Sequence, residues 1–238
     1  MKVARPAIVF LLGLSLSGWG FAQGVDPRTA AGQLAACGGA ANWNRMTFVE
    51  FEVEIESPQG KQGPWLYRWD RSGGYGRLTG PGPDGSYLDI VVDIASRSGG
   101  GARNGEPMSE ELLGQMMTWA VQRMAEDILW LTFPLDWNAP GVTLTPLDDV
   151  VDEDGRRHRS VLVTSAVGSW DVTLDPDTGR VVRTVYERPG IGRFNVEWSN
   201  WEAHGGVFFA GRRTIEETGE EVMIQVLRHG STPPPDAF

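Results

Sequence analysis

The chain has 238 residues and a single cysteine, Cys37, so an internal disulfide is excluded. Lysine is nearly absent: only Lys2 and Lys61 occur, and arginine supplies the remaining positive charge. The formal net charge is -10, which disfavours nucleic acid and anionic membrane surfaces as partners. Histidine is scarce as well. His158, His204 and His229 lie far apart, and none has a His or Cys neighbour at zinc-ligand spacing. The acidic run Asp148, Asp149, Asp152, Glu153 and Asp154 fails as a calcium loop. Setting Gly155 at its sixth position puts Val150 first and Val161 last, where oxygen ligands are required. No metal and no cofactor are therefore expected. A Gly-x-Ser-x-Gly elbow is missing, and the Gly-rich pieces at 98–101 and 190–192 do not lead directly into helices, as a phosphate cradle requires. An enzyme is not expected. A hydrolase built from carboxylates that meet only in the fold stays open as a lesser reading.

Long apolar runs are also lacking, with one short exception at the start. Lys2 and Arg5 precede the run Ala7-Ile8-Val9-Phe10-Leu11-Leu12-Gly13-Leu14, and small residues lead to Gly20-Phe21-Ala22-Gln23. This three-part pattern predicts a secretory signal over residues 1–22 and an exported, periplasmic or envelope protein. After its removal no segment is apolar enough to span a bilayer. Leu34-Ala35-Ala36-Cys37 has the local shape of a lipoprotein cleavage box. However, Asp26, Arg28 and Gln33 separate it from the apolar run, and the plainer reading is a short helix stopped by Gly38-Gly39.

What is present is mostly strand. Asp26-Pro27 predicts the start of the short helix, with Asp as its N-cap. Val49, Phe51, Val53 and Ile55 then alternate with Glu50, Glu52, Glu54 and Glu56. Successive strand side chains point to opposite faces, so one face is apolar and the other acidic. Trp65, Tyr67 and Trp69 mark the return strand, and Arg68 is placed to meet the glutamates across it. Further strands are predicted at 75–79, 87–97 and 102–108, with 98–101 read as a turn. After residue 140 a meander follows, punctuated by Asp175-Pro176-Asp177-Thr178-Gly179, Gly205-Gly206 and Gly219. The last residues, 231–238, read as a Pro-rich tail, poorly ordered or lying along an edge.

One long helical period interrupts the strands, at 109–137. Leu113, Met116, Met117, Ala120, Met124 and Ile128 recur mostly three or four apart and define one apolar face. Trp130, Leu131, Phe133, Leu135 and Trp137 follow closely at its exit. Methionine adapts to irregular apolar partners, and tryptophan suits pocket mouths. Met116, Met117, Trp119, Met124, Trp130, Leu131, Phe133, Leu135 and Trp137 are thus the candidate ligand-lining residues. The competing reading makes the same stripe ordinary core.

Several of these marks together resemble the LolA-like family of exported envelope proteins, lipoprotein carriers and their uncharacterised relatives. They are the helix ending in Cys37-Gly38-Gly39, the aromatic return strand Tyr67-Arg68-Trp69-Asp70 and the Trp130-Leu131 helix exit with Pro134. The 175–179 turn, the pair Trp198 and Trp201 before Gly205-Gly206, and the ending Pro235-Asp236-Ala237-Phe238 complete the set. The resemblance implies a mainly β (α+β) fold: a curved antiparallel sheet forming an open half-barrel, covered by one long and one or two short helices, as a single domain over 23–230. It also implies an apolar cavity for a lipid or acyl chain. The functional expectation is an envelope protein binding a lipid-like ligand. The alternative is an interaction module with a filled core that docks another envelope protein.

Overall fold

A computed structural model describes residues 25–188 and 192–238. The signal segment 1–22 lies outside the described residues, as do Gly190 and Ile191. The described chain is mainly β, with thirteen antiparallel strands in one sheet and three helices. Two short helices, α1 (Ala30–Ala36) and α2 (Ala40–Arg45), precede β1 (Phe48–Ser57), β2 (Gly60–Asp70), β3 (Tyr75–Pro81), β4 (Tyr87–Asp93), β5 (Ser98–Arg103) and β6 (Glu106–Pro107). The long helix α3 (Glu110–Thr132) follows. The second run is β7 (Thr143–Val151), β8 (Arg157–Ser165), β9 (Gly168–Leu174), β10 (Val181–Arg188), β11 (Gly192–His204), β12 (Val207–Ile215) and β13 (Glu220–Gly230).

The strand order is β6-β5-β4-β3-β2-β1-β13-β12-β11-β10-β9-β8-β7. The chain therefore enters the sheet at its centre and walks out to one edge. α3 then carries it to the opposite edge, and it walks back until β13 pairs with β1. The edge strands β6 and β7 do not pair, so the sheet stays open. α3 touches β3, β4 and β5 in one half and β12 in the other, so it lies across both halves of the sheet. None of the described helices is long and apolar enough to cross a membrane.

The alternation in β1 does what a half-buried strand requires. Val49, Phe51 and Val53 are fully buried on the helix side, each worth about 1.5–3 kcal/mol of apolar transfer. On the other face Glu50 is held between β2 and β13. Arg68 Nε lies 2.6 Å from it, and Arg228 Nε and Nη2 each reach it at 3.0 Å. β12 pairs with β13 only from Arg212 to Ile215. Beyond that the strands part, and α1 and α2 occupy the gap: Phe208 N donates to Cys37 O at 3.0 Å, and Trp43 packs edge-on to Phe209.

Ser109 caps α3, its hydroxyl accepting from Leu112 N, and Glu110 and Glu111 complement the positive end of the helix dipole. Pro134 stops it, because proline lacks the N–H that another turn would need. Met117, Ala120, Met124, Asp127 and Leu131 form its buried face. Gly76 on β3 admits that face: a Cβ there would lie 2.0 Å from Met124 Cε.

Several local expectations change. α1 is capped by Thr29, whose hydroxyl takes Gly32 N, whereas the Asp26 carboxylate is engaged by Arg28. The helix α3 ends at Thr132, so Phe133, Leu135 and Trp137 lie beyond it. Residues 98–101 are not a turn but most of β5. The reversal falls at 93–97 instead, where the Asp93 carboxylate accepts from Ala95 N and Ser96 N. Glycine permits this close pairing, since a Cβ on Gly99 would sit 2.0 Å from Val91 O. At the end of the chain Ala237 is fully buried, Thr47 Oγ1 donates to Ser231 O at 2.7 Å, and Arg68 reaches Asp236 O at 3.5 Å. Cys37 is the C-cap of α1 and only 1% exposed. Burial pushes its thiol up to about 12, despite Arg180 nearby.

Candidate functional site

Two hydrophobic clusters meet beneath α3. The first holds Val49, Phe51, Val53, Tyr67, Leu78 and Ile90 with Met117, Met124, Leu131 and Leu135 of the helical region. The second holds Phe133, Trp137, Trp170, Val172, Val196 and Trp198. Trp130 packs against both. The clusters do not merge fully, and open space remains along one side of α3.

Two cavities with shared walls form a trough there, and a third lies beyond Arg123. The central one, about 310 Å³, is walled by Arg123, Asp127 and Trp130 of α3 and by Ile55, Phe194, Val196, Ile215 and Val222 of the sheet. A smaller cavity of about 110 Å³ adjoins it and is lined by Leu129, Phe133, Trp170 and Trp198. Glu126, Trp130 and Tyr186 line both. Arg123 also borders a third, of about 410 Å³, with Trp65, Lys61 and Trp119.

A charged group borders the central cavity. Tyr67 Oη donates a short hydrogen bond to Asp127, and Arg123 Nε reaches Asp127 Oδ2 at 2.9 Å. The Arg123 guanidinium lies 4.1 Å over the Trp65 ring. Arg213 is fully buried behind Asp127. Its Nη1 and Nη2 donate to Ala210 O and Trp130 O, each at 2.6 Å. Burial pushes the Asp127 carboxyl up, and burial with the Asp127 charge pushes the Tyr67 phenol up. Desolvation brings Arg213 down to about 9. Arg213 thus ties the helix exit to β12, while Tyr67 and Asp127 tie the helix to β2.

Of the candidate lining residues, the fold brings Trp130 and Phe133 together in the smaller cavity, and Trp130 also lines the central one. Trp119 lies in the third cavity. Met116 packs half-buried on the first cluster, whereas Met117, Met124, Leu131 and Leu135 are buried within it. Trp137 is buried in the second cluster, edge-on to Phe133. Residues that sequence reasoning did not place here are Tyr186, Trp170, Trp198, Phe194, Glu126 and Asp127. One signal was available for Asp127: it falls on the apolar stripe at the spacing of Met124 and Leu131, with Arg123 four residues before it. A charge on a buried stripe marks a polar site or a paired network.

No group of three or more His, Cys, Asp or Glu could hold a metal ion among the described residues. His158 is engaged by Asp152 at 2.9 Å and by Leu174 O at 3.2 Å. His204 and His229 lie edge-on to each other near α2, away from the trough.

No family model matches the chain, and no curated protein matches it in sequence. Similar solved structures include a Vibrio parahaemolyticus domain described as a candidate outer-membrane lipoprotein-sorting protein. Identity there is 8% over 79% of this chain and 87% of that one, with a TM-score of 0.41. MucB is similar at 16% identity over 87% of this chain, with a TM-score of 0.27, and this chain covers 61% of the MucB chain. A Pseudomonas aeruginosa MucA/MucB complex matches at 14% identity over 87% of this chain and 95% of that one, with a TM-score of 0.24.

Proposed function

We propose that the protein is an exported envelope module that binds an apolar, lipid-like ligand in the trough beside α3, as a carrier of lipid or of a lipoprotein's acyl chain. The observation that carries this is the junction of the central and smaller cavities at Trp130 and Tyr186. A central volume of about 310 Å³ falls in the range of small-molecule sites, about 300–1,000 Å³. Its walls are mostly apolar, with a few polar groups at fixed places, as such sites require. The N-terminal signal pattern supports the exported part of this reading.

Lipid extraction and native mass spectrometry of the purified protein test the reading. Wild type retains or takes up an acyl-chain ligand. Trp130→Ala loses it, and Met124→Ala, whose side chain is sealed in the first cluster, keeps it. A wild-type protein that binds no alkyl probe under any condition overturns the proposal. The filled packing of Met117 and Met124 against the first half of the sheet favours a second reading, an interaction module without a ligand. In that case a partner protein is recovered by cross-linking and no lipid is found.

A further inference from the structure

The third cavity lies beyond Arg123 from the trough. Its volume of about 410 Å³ is that of a small-molecule site, about 300–1,000 Å³. Trp65, Trp119, Pro81 and Pro83 supply apolar wall, and Arg123 and Lys61 are its charged residues. The Trp65 indole is fixed in place: its Nε1 donates to Pro81 O at 2.8 Å, and the Arg123 guanidinium lies 4.1 Å over its ring. Trp119 is half-buried against the first cluster.

Charge differs on the two sides of Arg123. Glu126, Asp127 and Glu220 line the central cavity, whereas no carboxylate among the described residues lines the third. Arg123 gives Nε to Asp127 at 2.9 Å, and its Nη2 is buried with no hydrogen-bond partner. A guanidinium carries five N–H donors and can take a carboxylate on two of them in parallel. A buried donor without an acceptor costs free energy, which a bound acceptor offsets. Asp127 does not satisfy Arg123 alone, because its charge also acts on the buried Arg213. Lys61 is less available, since its ammonium is held by Glu54 at 2.8 Å and Glu56 at 3.6 Å. The cavity therefore combines an arginine with spare donors, aromatic and proline wall, and no competing acid.

We propose that the third cavity binds a monocarboxylate with a compact apolar body, its carboxylate on the Arg123 guanidinium and its body against Trp65 and Trp119. This site is separate from the trough and does not depend on its reading. The carboxylate comes either from a small free acid or from the head of a fatty acid whose chain continues into the central cavity, which Arg123 also lines.

Isothermal titration calorimetry of the purified protein tests the proposal with 3-phenylpropionate, 3-phenylpropanol, 3-phenylpropylammonium and dodecanoate, the last kept below its micelle concentration. The acid is expected to bind about tenfold tighter than the alcohol, the size of a hydrogen bond to a charged group, and the ammonium weakest of the three. Dodecanoate binding no tighter than 3-phenylpropionate, and unchanged by Trp130→Ala, identifies a small free acid. Dodecanoate binding at least tenfold tighter, and falling to the level of 3-phenylpropionate in Trp130→Ala, identifies a fatty acid.

Arg123→Gln removes the preference for acid over alcohol. Trp119→Ala weakens both probes about tenfold, and Trp119→Phe, which keeps an aromatic wall, restores most of the affinity. Because Arg123 is tied to Asp127, the Trp119 pair and the probe series decide the matter if Arg123→Gln does not fold. Alcohol and ammonium binding as tightly as the acid overturns the carboxylate assignment. Failure of 3-phenylpropionate to bind overturns the site, and dodecanol uptake in that same protein would leave the trough reading intact.

Discussion

Against the first half of the sheet, α3 lays Met117, Ala120, Met124 and Leu131, and the space is filled. Against the second half it lays Leu129, Trp130 and Phe133, and cavities of about 310 and 110 Å³ remain beside them. The difference comes from side-chain shape. Methionine has three rotatable bonds and a polarizable sulfur, so it moulds itself to the wall, as Met124 does over Gly76. Tryptophan and phenylalanine are rigid plates. Four of them, Trp130, Phe133, Trp170 and Trp198, inclined at 32° to 49°, leave a gap beside them. One helix therefore borders two regimes, a filled interface on one side and open space, the proposed ligand site, on the other. The buried Tyr67–Asp127–Arg123 group and Arg213 hold the junction between them.

The strongest way to break this arrangement is at that junction. Asp127→Ala leaves Arg123 and Tyr67 buried without their acceptor, a loss of about 3–5 kcal/mol, read as a lower denaturant midpoint. A change below 1 kcal/mol would mean that the network does not join the halves. Met124→Ala tests the filled half by itself. Truncating a sealed methionine costs about 2–4 kcal/mol, and ligand uptake of the folded protein stays unchanged. Reduced uptake at full folding would show that the filled and open sides are one unit. Trp130→Ala tests the open half. Its ring is half-buried, so the stability cost is smaller, about 1–2 kcal/mol, but alkyl-probe binding is lost. A Trp130 variant that is strongly destabilised yet binds normally reverses the assignment of the two regimes.

Legibility in the sequence follows the same division. The filled half was readable because periodicity encodes it. The alternation from Val49 to Ile55 set one face of β1, and the three-to-four spacing from Leu113 to Ile128 set the face of α3. The same alternation puts Arg68 on the glutamate side of β2 without fixing the register, and the structure pairs it with Glu50. The open half is built from residues distant in the chain. Trp130 meets Tyr186 and Trp198 only because β13 returns to pair with β1 and brings β9–β12 under the helix exit. No local period records that return. Nor does any local signal show that Gly99 belongs to a strand, since glycine's usual meaning in sequence is a turn and its meaning here is close approach to Val91.

The smallest effect separates two carboxylates that each face two arginines. Asp127 lies beneath the helix, where burial outweighs its partners and raises its pKa. Glu50 lies on the opposite face of the sheet. Burial there pulls upward too, but the hydrogen bonds from Arg228 and Arg68 outweigh it and hold Glu50 below its usual value. The two therefore act on stability with opposite signs. The Glu50 contribution is present above its unfolded pKa, about 4.3, and is lost as pH falls through the lower folded value. The Asp127 contribution is present in acid below about 3.9 and is lost as pH rises through the raised folded value. Glu50→Gln should accordingly cost on the order of 1 kcal/mol at neutral pH, and the gap to wild type should close as pH drops below about 4. Equilibrium unfolding of both proteins across that range measures the closing. A gap that stays constant down to the acid limit would mean that Glu50 is held by packing rather than by its charge. The contrast between the two faces of the sheet would then lose its electrostatic basis.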